Sequence, residues 1–420
     1  MMQLLVVADD YTGALDTGTQ FAKQGVSARL FLYDSRMTAD DLRGCGAQVA
    51  VVDTESRHLP PGEAARRVHG AALLAREAGC QYFFKKTDSA LRGNLGSELE
   101  ALRAVCGASQ LYFVPAYPAL GRTTVHGVHH LNGVPIARTE FADDPFNPIR
   151  HSNVAALLKE QGCRAVRTAE AGQVLGSLGE PEIVVVDGRT DADLVKTSRA
   201  LAAVGRLTCT AGCAGFASAL PEGIPFQTAQ VRWRPRAGGI LLVSGSIHPQ
   251  SVRQCGYAVR QCGFLDCPLS LHQMLSDGGA CAGLADAISD TLRGGKKVLL
   301  RVPGGRELLR SAAELAEEFH LDKSAVPGRI AGTLGRVAAD ILQRSQVSVL
   351  IVFGGDTLMG IASALRCKSV IPLAEPLPGV ALSQMQLPSG TIDLITKAGG
   401  FGSDGLLADL EGRLSDLMAS

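Results

Sequence analysis

The chain has 420 residues, of which 46% are hydrophobic and 20% charged, so it is long enough for two or three domains with large buried cores. Its 41 basic and 41 acidic residues balance, which argues against nucleic acid or an anionic membrane as a partner recognised by bulk charge. No uncharged apolar run reaches the roughly 18 residues of a membrane span. Acids already occur at positions 9 and 10, so we expect no signal peptide. The 11 cysteines form no C-x-x-C pair, and we expect a cytoplasmic protein.

In the first half, short apolar runs alternate with longer segments of helical period. Strands are predicted at residues 3–8, 26–33, 47–53, 80–86, 110–116 and 181–188. Helices are predicted at residues 12–25, 60–79 and 95–107, and each ends near a glycine. Because nearly continuous apolar strands separated by helices form parallel sheets covered on both faces, this half predicts a doubly wound α/β domain.

The second half repeats this alternation after a break. Residues 221–239 are rich in proline and glycine, contain the single tryptophan, and are interpreted as a linker. Further strands are predicted at residues 239–246, 296–302, 348–355, 369–374 and 390–400, with helices at about 251–261, 280–293, 305–319 and 330–344. We therefore predict an α/β fold of two domains, residues 1–228 and 229–420, with mostly parallel sheets and an active site in the cleft between the domains.

Charged side chains follow three strands of the first half at the points where these strands end. They are Asp9 and Asp10, then those of KKTDSALRGN (85–94), then those of PAYPALGRTT (115–124). Because the carboxyl ends of parallel strands meet at one edge of a sheet, we expect these side chains to lie close together. Arginines suit a carboxylate, and aspartates suit hydroxyls or proton abstraction, so the pattern indicates a small hydroxy acid. The alternative is that the acids only cap a helix and the arginines form surface pairs.

Three glycine-containing strand ends follow in the second half. They are VSGSIHPQS (243–251), VFGGDTLMG (352–360) and TKAGGFGSDG (396–405). The hydroxyls of Ser244 and Ser246 and nearby backbone N–H groups can line a phosphate site, and Lys397 adds a positive charge. A single Gly-Gly loop is usually just a tight turn, and the chain lacks both a Walker A sequence and a complete G-x-G-x-x-G. Three such loops in one domain nevertheless favour phosphate binding.

Histidines are concentrated between these two sets, at His126, His129 and His130, in a segment interpreted as a loop. No cysteine or acid lies at a suitable spacing before Glu140, so a dedicated transition-metal site is the less favoured interpretation. His126 is instead expected to donate a hydrogen bond to a substrate. The acidic bend at Asp143 and Asp144 is interpreted as structural.

Taken in order, the motifs ADDYTGALD, KKTDSALRGN, PAYPALGRTT, TEFADDPFNPI, VSGS, GGDT and KAGGFG resemble those of the four-carbon acid sugar kinases, from about residue 3 to residue 413. The resemblance implies an N-terminal domain that binds the acid sugar and a C-terminal domain that binds ATP. It also implies phosphorylation of the 4-hydroxyl of D-threonate, D-erythronate or a 3-oxo-tetronate. The chain departs from the family pattern at Ser89-Ala90-Leu91 and at Ile247-His248.

The resemblance also implies roles for individual residues. Substrate binding is expected of Asp9, Asp10, Lys86, Asp88, Arg92, Arg122 and Thr123. Nucleotide binding is expected of Ser244, Ser246, Gly354, Gly355, Asp356, Thr357, Lys397, Gly399 and Gly400. Mg²⁺ is expected to accompany ATP, with Asp356 reaching its ligand shell. Asp10 is expected to accept the proton of the 4-hydroxyl, with Asp88 as the second candidate.

Two other classes of protein stay open at this point. An NAD(P)-dependent hydroxy-acid dehydrogenase would carry G-x-G-x-x-G after a strand, which this chain lacks. A non-catalytic acid-sugar sensor would have lost the ATP loops, whereas VSGS, GGDT and KAGGFG are all present. The stretch TEFADDPFNP is closer to the threonate and erythronate enzymes than to the 3-oxo-tetronate enzymes. No residue of the sequence distinguishes D-threonate from D-erythronate as the substrate. A homodimer is left open.

Overall fold

Apolar, β-branched runs form the strands of this chain, and the longer alanine-rich segments between them form its helices. The computed structural model describes residues 2–144, 147–229, 233–275, 282–303, 314, 316–322, 325–397 and 400–419. The chain divides into two units, Met1–Gln230 and Val231–Ser420. Each contains a largely parallel sheet with helices, which confirms the predicted α/β class. Among the described residues, none of the helices combines the length and apolarity that a bilayer crossing needs.

The first unit alternates strands and helices along the chain. Its described strands are β1 Leu4–Ala8, β2 Ala28–Leu32, β3 Val49–Asp53, β4 Tyr82–Lys86, β5 Gln110–Val114, β6 Arg122–Val125, β7 Val128–Leu131, β8 Val134–Pro135, β9 Val166–Ala169, β10 Glu182–Val186 and β11 Cys209–Gly212. Its described α-helices are α1 Tyr11–Ala22, α2 Ala39–Arg43, α3 Pro61–Glu77, α4 Leu95–Cys106, α5 Val154–Glu160, α6 Asp191–Ala203 and α7 Ala214–Ala219. Short 3₁₀ turns occupy Pro118–Leu120, Ile136–Arg138, Glu140–Asp143 and Leu220–Glu222.

The main sheet of the first unit has the strand order β2-β3-β1-β4-β11-β5-β10-β9, and all of its neighbouring strands are parallel. Strands β1, β3, β5 and β10 are buried along their whole length, as expected where helices cover both faces. Strand β11 lies between β4 and β5 although it comes last in the chain order. The sequence analysis missed it because four residues, CTAG, carry too short an apolar run to be recognised.

A small antiparallel sheet, β6-β7-β8, stands apart from the main sheet. The loop predicted around the histidines is therefore wrong, since β7 covers Val128–Leu131 and pairs with β6. A tight turn at His126 and Gly127, with φ of +51° and +72°, joins β6 to β7. Strands of four residues on either side of such a turn are too short for their alternation to be detected.

The second unit is also an α/β structure. Its described strands are β12 Gly239–Ser244, β13 Phe264–Pro268, β14 Lys297–Arg301, β15 Val347–Phe353, β16 Ser369–Leu377, β17 Val380–Leu387 and β18 Gly390–Lys397. Its described helices are α8 Pro249–Gln261, α9 Leu271–Leu275, α10 Ala282–Arg293, α11 Val326–Arg344, α12 Gly355–Ala364 and α13 Leu406–Ala419. The helix predicted at residues 305–319 lies largely outside the described residues.

The strand order in this unit is β13-β14-β12-β15-β18-β17-β16. The first five strands are parallel, whereas β16, β17 and β18 form an antiparallel meander. The sequence analysis did not predict β17. Apolar and polar residues alternate only partly in its sequence, VALSQMQL, and it lies between two runs that were taken as consecutive parallel strands. The mostly parallel sheet is confirmed, with this meander as its exception.

The segment interpreted as a linker is partly folded into the units on either side. The backbone N–H of Gln227 donates to the side chain of Gln48 at 2.7 Å, and Thr228 forms a bridge to Val26. Trp233 is 5% exposed and packs in the core of the second unit. The described residues of this segment are therefore partly built into the two units, although many of them remain exposed to solvent.

The packing of α11 against α12 depends on two glycines. A Cβ added to Gly335 would lie 2.3 Å from the backbone carbonyl of Gly360, which cannot move without shifting α12. We predict that Gly335→Ala lowers the free energy of unfolding by about 1–3 kcal/mol through overpacking. Gly332→Ala on the same helix meets only the end of Arg336 at 3.6 Å and should be neutral or stabilising. Urea unfolding of both variants tests this, and equal midpoints would contradict it.

Candidate active site

Three parallel strands of the first unit end side by side. Ala8, the last residue of β1, lies opposite Asp53 on β3 and Lys86 on β4 in the two ladders. The residues that follow these strands therefore emerge at one edge of the sheet, as expected from the predicted pattern. This edge collects acids from three separate parts of the sequence.

The adjacent acids after β1 have different environments. Asp10 is the N-cap of α1, with its Oδ1 accepting the N–H of Gly13 at 2.9 Å, and its side chain is 25% exposed. Asp9 is 2% exposed, and its Oδ1 has no hydrogen-bond partner among the described residues. Burial works against its ionisation, but the charges of Arg57 and Lys85 outweigh burial and lower the pKa of Asp9.

Asp88 is held by Arg92 at the end of β4. The Nε and Nη2 atoms of Arg92 donate to Oδ2 and Oδ1 of Asp88 at 2.9 and 3.0 Å, and Oδ2 also accepts the N–H of Ala90. Burial opposes ionisation, yet Arg57 and Arg92 hold the pKa of Asp88 well below its usual range. Arg92 also lies 3.3 Å from Asp144, so the acidic bend that was interpreted as structural supports an arginine of this site.

Arg57 is the residue that sequence reasoning missed. Its Nε lies 2.7 Å from Oδ2 of Asp9, its Nη1 2.7 Å from Oδ2 of Asp10, and its Nη2 3.8 Å from Oδ1 of Asp88. The guanidinium thereby joins the three acids that were predicted to meet. Its position shortly after the third predicted strand, in TESRH, was the available indication, since the same rule had pointed to the other strand ends.

Lysines on β4 add positive charge beneath this edge. Lys85 is fully buried and lies 3.1 Å from Glu98 of α4, whose other oxygen accepts the hydroxyl of Ser56. Lys86 donates to the carbonyl of Thr87 at 2.8 Å and is 4% exposed. Its Nζ would lie 2.8 Å from a Cβ at Gly13, so this ammonium reaches the beginning of α1 close to Asp10.

The antiparallel hairpin reaches the same loop through His129. This imidazole lies 3.0 Å from the hydroxyl of Thr124 and 3.0 Å from the carbonyl of Ser89. Burial lowers the pKa of His129 to about 4, so the ring is neutral at pH 7. Arg122 on β6 donates to the carbonyl of Leu120 at 3.1 Å, and its buried Nε has no partner among the described residues.

Not all of the predicted substrate residues are in contact. Within the described part of the chain, no hydrogen bond or ion pair joins Arg122 or Thr123 to the acids around Arg57. His126 is exposed, and its backbone N–H donates to Asp187. The described residues contain no group of three His, Cys, Asp or Glu side chains that could hold a metal ion.

In the second unit, the predicted phosphate loops converge around Ser251. The hydroxyl of Ser246 and the ammonium of Lys397 both lie within hydrogen-bond distance of Ser251 Oγ, at 3.1 and 3.2 Å. Lys397 also lies 5.1 Å from the centre of the Phe353 ring. Burial lowers the pKa of Lys397 to about 8, so a bound anion would favour its charged form.

The loop after β15 requires glycine at its first position. Gly354 has φ of +111°, and a Cβ there would lie 3.2 Å from Oγ1 of Thr357 and 3.6 Å from the N–H nitrogen of Ser246. Gly355 and Asp356 form the first turn of α12, where Asp356 is exposed. Ser246, Gly354 and Thr357 are therefore neighbours, which brings two of the three predicted phosphate loops together.

The third phosphate loop is only partly described. A Cβ at Gly400 would lie 3.1 Å from the ring of His248, which places this glycine beside the loop after β12. Gly399, the other glycine assigned to nucleotide binding, lies outside the described residues.

A cavity of about 500 Å³ opens beside Ser244 and Ser246. Its walls carry Arg253 and Arg260 of α8 and the ion pair that Arg301 forms with Asp266 at 2.8 Å. The sequence analysis named none of these charged residues, although Arg301 lies near the end of the strand predicted at residues 296–302. A cavity of this size with several guanidinium groups suits a polyanionic ligand.

Comparisons with known proteins match each of the two units to a different family model. Residues 4–220 match the family model described as a sugar-binding N-terminal domain, and residues 241–407 match a nucleotide-binding C-terminal domain. A D-threonate kinase of Salmonella typhimurium is 30% identical over 97% of each chain. A D-threonate kinase of Bordetella bronchiseptica is 31% identical, covering 96% of this chain and 95% of the relative. A D-erythronate kinase of Heliobacterium modesticaldum is 28% identical, covering 92% and 90%.

Solved structures share the fold. A protein of Salmonella typhimurium LT2 superposes with a TM-score of 0.80 at 18% identity, covering 97% of this chain and 98% of the other. A protein of Haemophilus influenzae superposes with a TM-score of 0.76 at 20% identity, covering 97% and 99%. At these identities the likeness bears on the fold alone.

The buried imidazole of His129 makes stability depend on pH. Its pKa is about 4 in the folded state and near 6.5 when unfolded, so between these values the unfolded chain binds the extra proton. We predict that this group removes up to roughly 3 kcal/mol of stability as the pH falls from 6.5 to 4. His129→Gln should flatten that slope in urea unfolding, whereas His126→Gln, at an exposed position, should not. Equal slopes for both variants would refute the assignment.

Proposed function

The chain belongs to the four-carbon acid sugar kinase family and is a sugar-acid kinase, and on this premise we propose that it uses ATP to phosphorylate the 4-hydroxyl of D-threonate or D-erythronate. The observation that carries the proposal is the joint presence of two sites of different chemistry. One unit holds carboxylates paired with arginines, and the other holds glycine and serine loops with a buried lysine. A 3-oxo-tetronate is the alternative substrate, whereas a dehydrogenase or a sensor has no support among the kinase relatives.

The first unit is proposed to bind the acid sugar. Arg122 offers a buried Nε that no described residue satisfies, and a substrate carboxylate would satisfy it. Asp9 offers an equally unsatisfied Oδ1, which can accept a sugar hydroxyl. Lys86, Arg92 and Thr123 are proposed to complete this binding site. Repulsion from the acids would turn the substrate carboxylate toward the arginines and leave the far end of the sugar free to react.

Asp10 is the better of the two candidates for accepting the hydroxyl proton. Both carboxylates accept hydrogen bonds on both oxygens, Asp88 from Arg92 and Asp10 from Gly13 and Arg57, but the low pKa of Asp88 makes it a poor base. Asp10 is more exposed, and its carboxylate lies at the beginning of α1 beside Lys86. We therefore assign Asp88 a role in holding Arg92 and retain Asp10 as proton acceptor or aligner.

The second unit is proposed to hold ATP. Phosphate oxygens would accept from the N–H groups at the beginning of α12 and from Ser244 and Ser246, with Lys397 opposite them. Gly355, Thr357, Gly399 and Gly400 are proposed to let the backbone approach the phosphates. Mg²⁺ fits the exposed carboxylate of Asp356, because this ion needs few protein ligands when phosphates and waters fill its shell. When bound, the ion would neutralise phosphate charge.

The reaction asks little covalent chemistry of the protein. The 4-hydroxyl loses its proton to Asp10, its oxygen forms the new bond to the γ-phosphorus, and the bond to the β-γ bridging oxygen breaks to release ADP. The chain contributes alignment of the hydroxyl and charge complementary to the transferring group. Lys397 is the protein cation proposed for that second task.

The test is ADP release from ATP and Mg²⁺ with D-threonate, D-erythronate and a 3-oxo-tetronate as separate acceptors. We expect turnover of at least one of the first two and a loss of about 10²–10⁴-fold in kcat for Asp10→Asn, because that variant removes the proton acceptor. Mass analysis of the product should show one added phosphoryl group. Absence of turnover with all three acids would overturn the proposal, and an unchanged kcat would remove Asp10 from it.

Arg122 can be tested separately, because it does not support another acid of the site. We predict that Arg122→Ala raises KM for the acid sugar by about 10-fold or more, the equivalent of one charge-assisted contact, and leaves KM for ATP near the wild-type value. Steady-state kinetics with each substrate varied in turn measures both. A matching rise in the two KM values would mean that Arg122 does not bind the substrate carboxylate.

A further inference from the structure

Arg57 presents a different nitrogen to each of three acids, Asp9, Asp10 and Asp88. Its side chain is only 10% exposed, so the ion pairs to Asp9 and Asp10 lie where water screens them little. A guanidinium can satisfy several planar carboxylates at once, whereas an ammonium acts as a point charge. The residue therefore fixes the orientation of these carboxylates.

The backbone around Arg57 is itself held in place. The N–H groups of Ser56 and Arg57 both donate to the carbonyl of Asp9, at 2.9 and 3.1 Å. On the other side, the amide of Asn94 donates to the carbonyls of Ser56, Arg57 and Leu59 at 3.0, 3.4 and 2.8 Å. The segment is thus tied to the end of β1 and to the beginning of α4, which leaves the guanidinium little freedom.

Neighbouring Asp53 shows what happens to an acid at this edge without a facing cation. It is 1% exposed, like Asp9, and it ends the adjacent strand. Burial, together with the charge of Glu55, raises the pKa of Asp53 well above its usual range, whereas the pKa of Asp9 is lowered. The two strand ends differ in the charges that face them, since Arg57, Lys85 and Lys86 act on Asp9 whereas the acids Glu55 and Asp10 act on Asp53.

The charged groups around the acids come from three segments of the chain. They are Asp53 at the end of β3 with Glu55 and Arg57 in the loop after it, Lys85 and Lys86 on β4 with Asp88 and Arg92 in the loop after it, and Glu98 within α4. Of these cations, Arg57 alone lies within 3 Å of carboxylate oxygens of both Asp9 and Asp10 among the described ion pairs.

We propose that Arg57 is a positioning residue for phosphoryl transfer, which holds the carboxylates of Asp9 and Asp10 aimed at the sugar hydroxyls. This inference rests on the proposed function for its catalytic consequence, but its electrostatic part does not. Without Arg57, the buried carboxyl of Asp9 would retain its proton to higher pH, and an acceptor for a substrate hydroxyl would be lost.

The kinetic test compares Arg57→Gln, Arg57→Lys and Asn94→Ala. Arg57→Gln should lower kcat about 100-fold, the order expected for misplaced catalytic groups, and move the acidic limb of the kcat/KM profile to higher pH. Arg57→Lys keeps the charge, so its acidic limb should stay near that of the wild type while kcat recovers only in part. Asn94→Ala loosens the segment without removing charge, so it should lower kcat and leave the limb in place. A limb unmoved in Arg57→Gln overturns the proposal.

The stability test needs no substrate, and so it separates failure of this inference from failure of the proposed function. If carboxylates in Arg57→Gln retain protons that the unfolded chain has released, the stability deficit of this variant relative to wild type must shrink between pH 7.5 and pH 5. Loss of the contacts of Arg57 alone would give the same stability deficit at pH 7.5 and at pH 5. Should Arg57→Gln not fold at either pH, adding Asp9→Asn should restore folding, and failure to do so would count against the proposal.

Discussion

The ion pairs between Arg57 and the two acids after β1 are the interaction on which the first unit's site depends. Two adjacent aspartates at the beginning of a helix are favourable for the helix dipole, and yet two carboxylates beside a third at the edge of a buried sheet repel one another. Arg57 resolves this conflict because it arrives from the neighbouring strand, where the ladder sets Asp53 beside Ala8. The pairing of β3 with β1 therefore determines which cation faces the acids of the site.

The second unit solves the opposite problem. The proposed triphosphate brings its own negative charge, and the loops there offer backbone N–H groups, serine hydroxyls and Lys397, with Asp356 as the acid proposed for Mg²⁺. Gly354 allows the loop to turn close to Ser246, which a side chain at this position would hinder. The chain thus uses carboxylates where its proposed ligand has hydroxyls and small residues where the ligand has phosphates.

Sequence reasoning recovered the parts of this arrangement that are encoded locally. The strand ends with Asp9, Asp10, Asp88 and Arg92 are found by one rule, because polar residues that interrupt apolar runs mark the edge of a parallel sheet. The glycine and serine loops of the second unit follow the same rule. The comparisons with known proteins do not test the roles of individual residues, so these role assignments stay predictions.

What sequence reasoning missed depends on non-local contacts. Arg57 lies 47 positions from Asp10, and only the pairing of β3 with β1 brings them together. The hairpin that carries Arg122 and His129 consists of strands too short to show a period, and the antiparallel β17 was hidden between two stronger strands. The depressed pKa of His129 follows from its burial, which no spacing of histidines reveals.

Strand β11 has a consequence for the way this chain is made. It lies between β4 and β5 in the sheet, but its residues, Cys209–Gly212, are synthesised long after both neighbours. Until they emerge from the ribosome, β4 and β5 each keep an unpaired edge, which is the feature that invites association with other chains. At about 5–20 residues per second this interval lasts several seconds. The strand that ends in Lys86 thus lacks one neighbour until a distant segment has been synthesised. A nascent chain halted before Cys209 would need protection from a chaperone.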